Sequence, residues 1–350
     1  MSVHHCGDFK QTYADDMKVL QTRFIRWCIG IFVVLLYVFP FLGSNYHVSV
    51  MNKIGIAVIG AVGINIVTGF TGQISLGQGA FLGVGAFACS YFMREWSVPF
   101  WFAMPLAGLV TAAIGMVFGS PSLRLKGLYL AIATLAAQFI LEYLFLHVDK
   151  VTGGSNGVMF PSPEIGSFAF DDDRSMYYLI VTVAIIGVLF AVNLFRSKDG
   201  RAFVAVRDHY LSAEIMGIHL FKYRLLSFAI SSFYVGVAGS LWGAYTQYIT
   251  PEHFTIHESI HYLAMIIIGG LGSVLGAIYG AIFMTLLPFV LTGLTASLAD
   301  YFPQAGYFIQ SLREGIFGFI VILFLIFEPD GIAHRWRLIK AYWKLYPFSY

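Results

Sequence analysis

Hydrophobic and polar positions in this chain alternate on the scale of whole helices. Ten apolar runs, at 24–42, 52–70, 74–93, 99–119, 128–147, 176–195, 225–248, 256–271, 273–291 and 306–327, are separated by shorter polar segments. About 20 apolar residues cross the ~30 Å hydrocarbon layer of a bilayer, and backbone groups in lipid must find their hydrogen bonds inside a helix. The pattern therefore predicts an all-α polytopic membrane protein with about ten transmembrane helices. The eighth run is short and closes on GGLGS, which predicts a broken or re-entrant helix that faces protein or a water-filled cavity. In the tenth, Arg313 and Glu314 fall near the interface, where they either snorkel to water or form a functional pair.

The polar segments set the domain organisation: an N-terminal arm at 1–23, a transmembrane domain at 24–327 with prominent loops at 148–175 and 196–224, and a tail at 328–350. Lys and Arg in short loops tend to stay cytoplasmic. Lys10, Lys18, Arg23 and Arg26 of the arm, Arg124 and Lys126 of SLRLKG, six Lys or Arg of 196–224, and Arg335, Arg337, Lys340 and Lys344 of the tail fall on one side if the helices alternate. Asp149, Glu164, Asp171, Asp172, Asp173, Glu252 and Glu258 collect on the other. Both termini and the 196–224 loop are thus expected in the cytoplasm, with 148–175 outside. Residues 1–21 are polar and the run at 24–42 is long enough to span, so it reads as a retained helix rather than a cleaved signal.

Composition strengthens this reading. The chain is 58% hydrophobic and 11% charged, against roughly 25% charged in a soluble domain. Its three cysteines, Cys6, Cys28 and Cys89, lack metal spacing and imply no disulfide framework. Small residues recur four apart at Gly79 and Gly83, Gly115 and Gly119, Gly239 and Gly243, and Gly272, Gly276 and Gly280. Such faces let helix backbones approach closely, within a tight bundle or across a dimer. The Gly-rich stretches at 69–85 and 269–280 lie in opposite halves of the chain and leave an internal repeat open.

Polar residues within or beside the spans are candidates for a transport pathway or for hydrogen-bonded helix contacts: Asn65, Thr71, Gln73, Ser75, Gln78, Gln138 and Glu142. Gly269 and Gly270 of the GGLGS break join the pathway candidates. Around Thr68 to Gln78 the glycines at 69, 72, 77 and 79 permit a helix to unwind or break, exposing backbone groups suited to an amino and carboxylate headgroup.

Catalytic signatures are sparse. His257, Glu258 and His261 satisfy HExxH, the spacing that sets two imidazoles on one helical face around zinc. A third ligand is needed, and Asp330 falls at the opposite surface by this topology, about 30 Å away. No GxxxxGK[ST] occurs, so a nucleotide would be bound by another chain, and no GxSxG nucleophile elbow is expected. Neither a bound metal nor a nucleic-acid partner is expected.

Between Arg196 and Arg224 the chain leaves its apolar background, with six Lys or Arg against Asp199, Asp208 and Glu214. Two short helices are expected there, at 201–207 and 210–216, with Gly217 as C-terminal stop. The loop suits a partner's cleft; its basic residues also suit topology and anionic lipid.

The stretches NIVTGFTGQISLGQGAFLGVGAF, LRLKGLYLAIATLAAQFI, VTGGSNGV, GRAFVAVRDHYLSAEIMGI and IIGGLGSVLGAIYGA, in that order and spacing, resemble the M-type permease of high-affinity branched-chain amino acid ABC transporters over residues 50–335. The resemblance implies a subunit that pairs with a related H-type permease, two cytoplasmic ATPase subunits holding ATP and magnesium, and an extracytoplasmic solute-binding protein, in a bacterial cytoplasmic membrane. It also implies that Ser212, Ala213, Glu214 and Gly217, beside Arg207, belong to the element seated on an ATPase. The loop departs from the fuller EAA pattern of other importers. Leucine, isoleucine or valine is the expected solute; a urea or short-amide permease, an intramembrane zinc protease and an ion-coupled carrier are the rivals.

Overall fold

The computed structural model describes residues 23–120, 127–166, 168–299, 315–316, 318–324, 326–328 and 330–345. Arg313 and Glu314, most of the N-terminal arm, Arg124, Lys126 and the first part of the tenth run lie outside the described residues. The apolar runs fold as helices: α1 Arg23–Leu42, α2 Asn45–Ile64, α3 Gln78–Glu95, α4 Phe100–Gly119 and α5 Leu128–His147. After the single turn α6 Asp149–Thr152 come α7 Asp173–Arg196, α8 Lys198–Asp208, α9 Tyr210–Ile215 and α10 Leu220–Thr246. The chain continues through α11 Ile256–Gly269 and α12 Val274–Ala299 to α13 Ile332–Leu345.

Six segments among the described residues are long and apolar enough to cross a membrane: Asn45–Phe70, Phe100–Gly119, Leu128–His147, Asp173–Arg196, Leu220–Thr246 and Val274–Gly293. The others fall short for separate reasons. In α1 the apolar part is Arg26–Leu42, and α11 has only 14 residues. The run expected at 74–93 is helical only from Gln78, because residues 72–77 are not helical. The second run starts at Asn45 rather than 52, since its polar opening is helical too and carries Asn52 into the interior, where Nδ2 donates to the Asp173 carbonyl at 2.9 Å. The eighth run is a short uninterrupted helix that ends in a tight turn.

Burial separates central from peripheral helices. Within its most apolar stretch Asn45–Phe70 is 89% buried, whereas Asp173–Arg196 is 22% buried and presents Ile186, Leu189 and Phe190 outward, as a lipid-facing helix should. α10 packs most extensively on α4, α3 and α2. The small-residue faces make these contacts within the one chain. A Cβ on Gly85 would lie 2.2 Å from the Gly236 carbonyl oxygen, and one on Gly239 would lie 2.0 Å from that of Leu82. In the α11–α12 hairpin, Gly269 abuts the Gly276 carbonyl and Gly280 abuts that of Met265. Such approaches supply van der Waals contact where lipid offers no hydrophobic drive.

The two ends of the bundle differ. At one, Val158 pairs with Ile249 and Met159 with Tyr248 in an antiparallel ribbon, and Trp101 Nε1 donates to the Glu164 carbonyl at 3.3 Å. At the other lie α8, α9, the α11–α12 turn and the start of α13, where a Cβ on Gly270 would sit 3.1 Å from the Asp330 carbonyl oxygen. This second end carries the basic segments and is called the basic end below.

Candidate functional site

α2 does not end as an ordinary helix. Its last turn widens into a π-helical segment, Asn65–Phe70, and then unwinds at Thr71 and Gly72, the latter at φ +71°. π segments are frequent at functional sites because their looser hydrogen bonding is held only by surrounding contacts. Here Thr71 Oγ1 donates to the Ile66 carbonyl at 2.9 Å, and the Gln73 amide donates to that of Val67 at 3.0 Å.

The second break, between α11 and α12, packs against the first. Asn65 Nδ2 donates to the Ser273 carbonyl at 2.9 Å and its Oδ1 accepts from the Gly272 amide at 3.0 Å. One buried amide thus pins together two turns some 200 residues apart in sequence. Gly272 has φ +72°, which a side chain would strain. Gly269 and Gly270 are buried in this turn against Gly276 and Asp330, so among described residues they serve backbone packing.

Buried side chains also satisfy the start of α3. Leu76 donates its amide to Thr134 Oγ1 at 3.0 Å, Gly79 to Ser259 Oγ at 2.7 Å and Ala80 to Gln138 Oε1 at 2.8 Å. Gln138 Nε2 in turn donates to the Phe254 carbonyl at 2.7 Å, and Gln73 Nε2 to Ser227 Oγ at 2.9 Å. Helix N-termini leave orphan N–H donors, costly where water is absent, and these contacts take up several of them. The structure therefore brings Asn65, Thr71, Gln73, Ser75, Gln78 and Gln138 into one dry region around the break. Three polar atoms there, Ser75 Oγ, Gln73 Oε1 and Gln78 Oε1, are buried with no partner. Glu142, one turn beyond Gln138 on α5, is by contrast only half-buried.

The basic end meets the break through Arg207. Its Nη1 donates to the Gly69 carbonyl at 2.9 Å, and its Nε lies 2.9 Å from Asp208 Oδ1. Gly72 and Gly272 leave the space it needs, since their Cβ atoms would come within 2.9 Å and 2.6 Å of its side chain. The rest of the loop turns outward. α8 is longer than expected at both ends, and Ser197 caps it by accepting from the Gly200 amide. α9 stops at Ile215, with Gly217 at φ +84° and the Ile218 amide closing back on the Ala213 carbonyl at 2.9 Å. Ala213 is buried, whereas Ser212, Glu214 and Gly217 are exposed beside Leu211, Ile215 and Met216, apolar side chains that are 61%, 88% and 84% exposed.

Towards the opposite end lies a cavity of about 540 Å³ between α2, α10, α11 and α12. Lys53, Ile56 and Ala57 line it from α2, Trp242 and Tyr245 from α10, and Thr285 from α12. His257, Glu258, His261, Tyr262 and Met265 of α11 form another wall. None of the polar residues singled out from the sequence as pathway candidates lines it. Lys53 escaped because the run was expected to begin at 52, which left it at a helix edge. In the structure it stands eight residues past the start of α2, at an exposed position that borders the cavity. Below the cavity the wall is closed: a Cβ on Gly60 would lie 2.4 Å from the Tyr262 ring, and one on Gly63 would lie 2.9 Å from Tyr234 Cβ.

The HExxH residues sit on this cavity, but no group of three or more His, Cys, Asp or Glu suited to a metal exists among the described residues. Asp330 is at the far end of α11, ion-paired with His334 at 3.7 Å.

A multi-pass helical membrane protein with an unwound helix end and a tight interhelical turn joined at one end, a cavity at the other and a basic loop touching the break has the build of a permease. The chain belongs to the branched-chain amino acid transport system permease component family, whose model matches residues 46–325. It is 32% identical, over 87% of its length and 74% of theirs, to the high-affinity branched-chain amino acid transport system permease proteins LivM of Salmonella typhimurium and Escherichia coli. It is 26% identical, over 80% of its length and 89% of the relative's, to the probable branched-chain amino acid transport permease protein LivH of Methanocaldococcus jannaschii. No solved structure matches the chain.

Proposed function

We propose that this chain is the membrane-spanning permease subunit of an ABC importer for leucine, isoleucine and valine, and that ATP hydrolysis in separate subunits drives its alternating access. Membership of the family and the names of its LivM relatives support the solute class. That both LivM and LivH proteins are similar to this chain supports pairing with a second, related permease. About ten spans with both termini in the cytoplasm, an outer loop at 148–175 and a cytoplasmic coupling loop at 196–224 complete the topology, in a bacterial inner membrane. Two cytoplasmic ATP-binding subunits hold ATP and magnesium, and a solute-binding protein delivers from outside.

One contact carries the coupling reading: Arg207 of the basic loop holds the Gly69 carbonyl at the helix break. The exposed Leu211, Ile215 and Met216 around Ser212 and Glu214 give a partner subunit an apolar seat, and its movement reaches the break through α8. ATP binding and release then favour different arrangements of the bundle.

The test is uptake in a strain lacking its own branched-chain importers, with labelled leucine compared against labelled urea. Leucine should enter only when this chain and its partners are co-expressed. Glu214→Arg and Gly217→Pro should abolish uptake while the chain still inserts in the membrane. Uptake of urea alone reassigns the solute, and normal leucine transport by both variants removes the loop from the mechanism.

A further inference from the structure

We propose that the cavity between α2, α10, α11 and α12 is the amino-acid site of this permease, with Lys53 receiving the substrate carboxylate and Glu258 its ammonium group. The inference rests on the proposed function and adds the place and chemistry of recognition.

One lysine, Lys53, and two acids, Glu252 and Glu258, line one cavity with no salt bridge between them among the described residues. Lys53 projects from α2 and Glu258 from α11, and neither belongs to an ion pair among the described residues. Lys53 Nζ lies 5.3 Å from the centre of the Phe289 ring, a contact that positions a cation without neutralising it. Charged groups inside a membrane protein are costly and are placed at pathways or against a partner. A zwitterion supplies both partners at once, an anion for Lys53 and a cation for Glu258. Urea, which has no ionised group, would satisfy neither.

The rest of the lining suits the same ligand class. Ile56, Leu82 and Met265 offer an apolar surface for a branched aliphatic side chain. Thr285 Oγ1 is buried with no hydrogen-bond partner, leaving a hydroxyl for the carboxylate. The volume of about 540 Å³ lies within the roughly 300–1,000 Å³ of small-molecule sites. The packing of Tyr262 on Gly60 closes the side towards the break, so the cavity is the pocket of a state open to one face only.

The experiment uses the complete transporter, this chain with its permease partner, ATPases and binding protein, reconstituted in proteoliposomes and assayed for labelled leucine uptake and ATPase rate. Lys53→Gln and Glu258→Gln should each lower leucine uptake at least tenfold in assembled complexes. Loaded binding protein should still stimulate ATP hydrolysis in both. Lys53→Arg and Glu258→Asp, which keep the charge, should retain at least a third of the uptake; a purely structural role would not follow charge in this way. If the unaltered complex carries leucine and the two glutamine variants carry it equally well, the site assignment is overturned while the proposed function stands. Loss in the charge-conserving variants to the same degree as in the glutamine variants overturns it likewise. If the unaltered complex carries no leucine, isoleucine or valine, the proposed function itself fails.

Discussion

The two regions of α2 hold polar groups under opposite conditions. Around the break, Asn65, Thr71 and Gln138 are buried and bonded to backbone carbonyls or amides within the chain, and Gln73 Nε2 donates to Ser227 Oγ. Around the cavity, Lys53 and Glu258 are ionisable and make no salt bridge among the described residues. Some 18 Å of helix separates Lys53 from Asn65. The lesson concerns what polarity in a membrane signifies. Lipid supplies no hydrogen bonds, so a break in a helix must be repaired by neighbouring side chains, and most of its polar residues are absorbed by that repair. Polar groups left over are the ones available to a solute.

Arg207→Ala tests the break end most severely. It removes the donor that holds the Gly69 carbonyl, a charged link from the basic loop to the break that also lies against Gly272. Leucine uptake should fall more than tenfold in complexes that still assemble, and loaded binding protein should no longer raise their ATPase rate. Uncoupled hydrolysis, rather than lost hydrolysis, is the expected signature, because α9 and its exposed apolar residues are untouched. Normal transport by Arg207→Ala would make the break a static joint and leave the cavity as the sole region with a role in transport.

Much of this arrangement was legible in the sequence. Apolar run lengths located the helices because lipid enforces the rule that each span satisfies its own backbone. The glycines from 69 to 79 located the break, since Gly72 alone could supply its positive φ. Gly217 likewise marked the stop of α9. The uses of the side chains were less legible. Gln138 and Ser259 meet at the start of α3 only because α5 and α11 cross there, a tertiary fact with no local signal. The cavity stayed hidden because its residues come from five helices and the turn before α11, and each alone reads as an ordinary interfacial Lys, Trp or Tyr. HExxH drew notice as a motif, yet what the structure shows is Glu258 facing a cavity it shares with Lys53.

Gln138→Leu sharpens the contrast at smaller cost. It strips the acceptor from the Ala80 amide and from Ser259 Oγ, and the donor from the Phe254 carbonyl. Leaving such buried groups unsatisfied costs about 1–3 kcal/mol each, reduced by whatever relaxation the site permits. A drop in the thermal unfolding midpoint of the purified chain in detergent is expected, with the preference for leucine over valine unchanged. A changed preference with an unchanged midpoint would move Gln138 from the repair of the break to the substrate path.

Ser75→Ala is the mildest change and the most discriminating. Ser75 Oγ is fully buried and has no hydrogen-bond partner, so in this conformation the hydroxyl carries a desolvation cost with no return. Alanine removes that cost and adds no bulk, so the unfolding midpoint should stay level or rise, by an amount corresponding to about 1 kcal/mol or less. Alternating access rearranges the break, and a group left unsatisfied in one arrangement gains its partner in the other. Ser75→Ala should then bias the bundle towards the arrangement described here and slow uptake a fewfold, with ATPase stimulation intact. Unaltered uptake together with a raised midpoint would show that the hydroxyl is unsatisfied in both arrangements. Ser75 would then be a static member of the break, beside Gln73 Oε1 and Gln78 Oε1, which are also buried there without a partner.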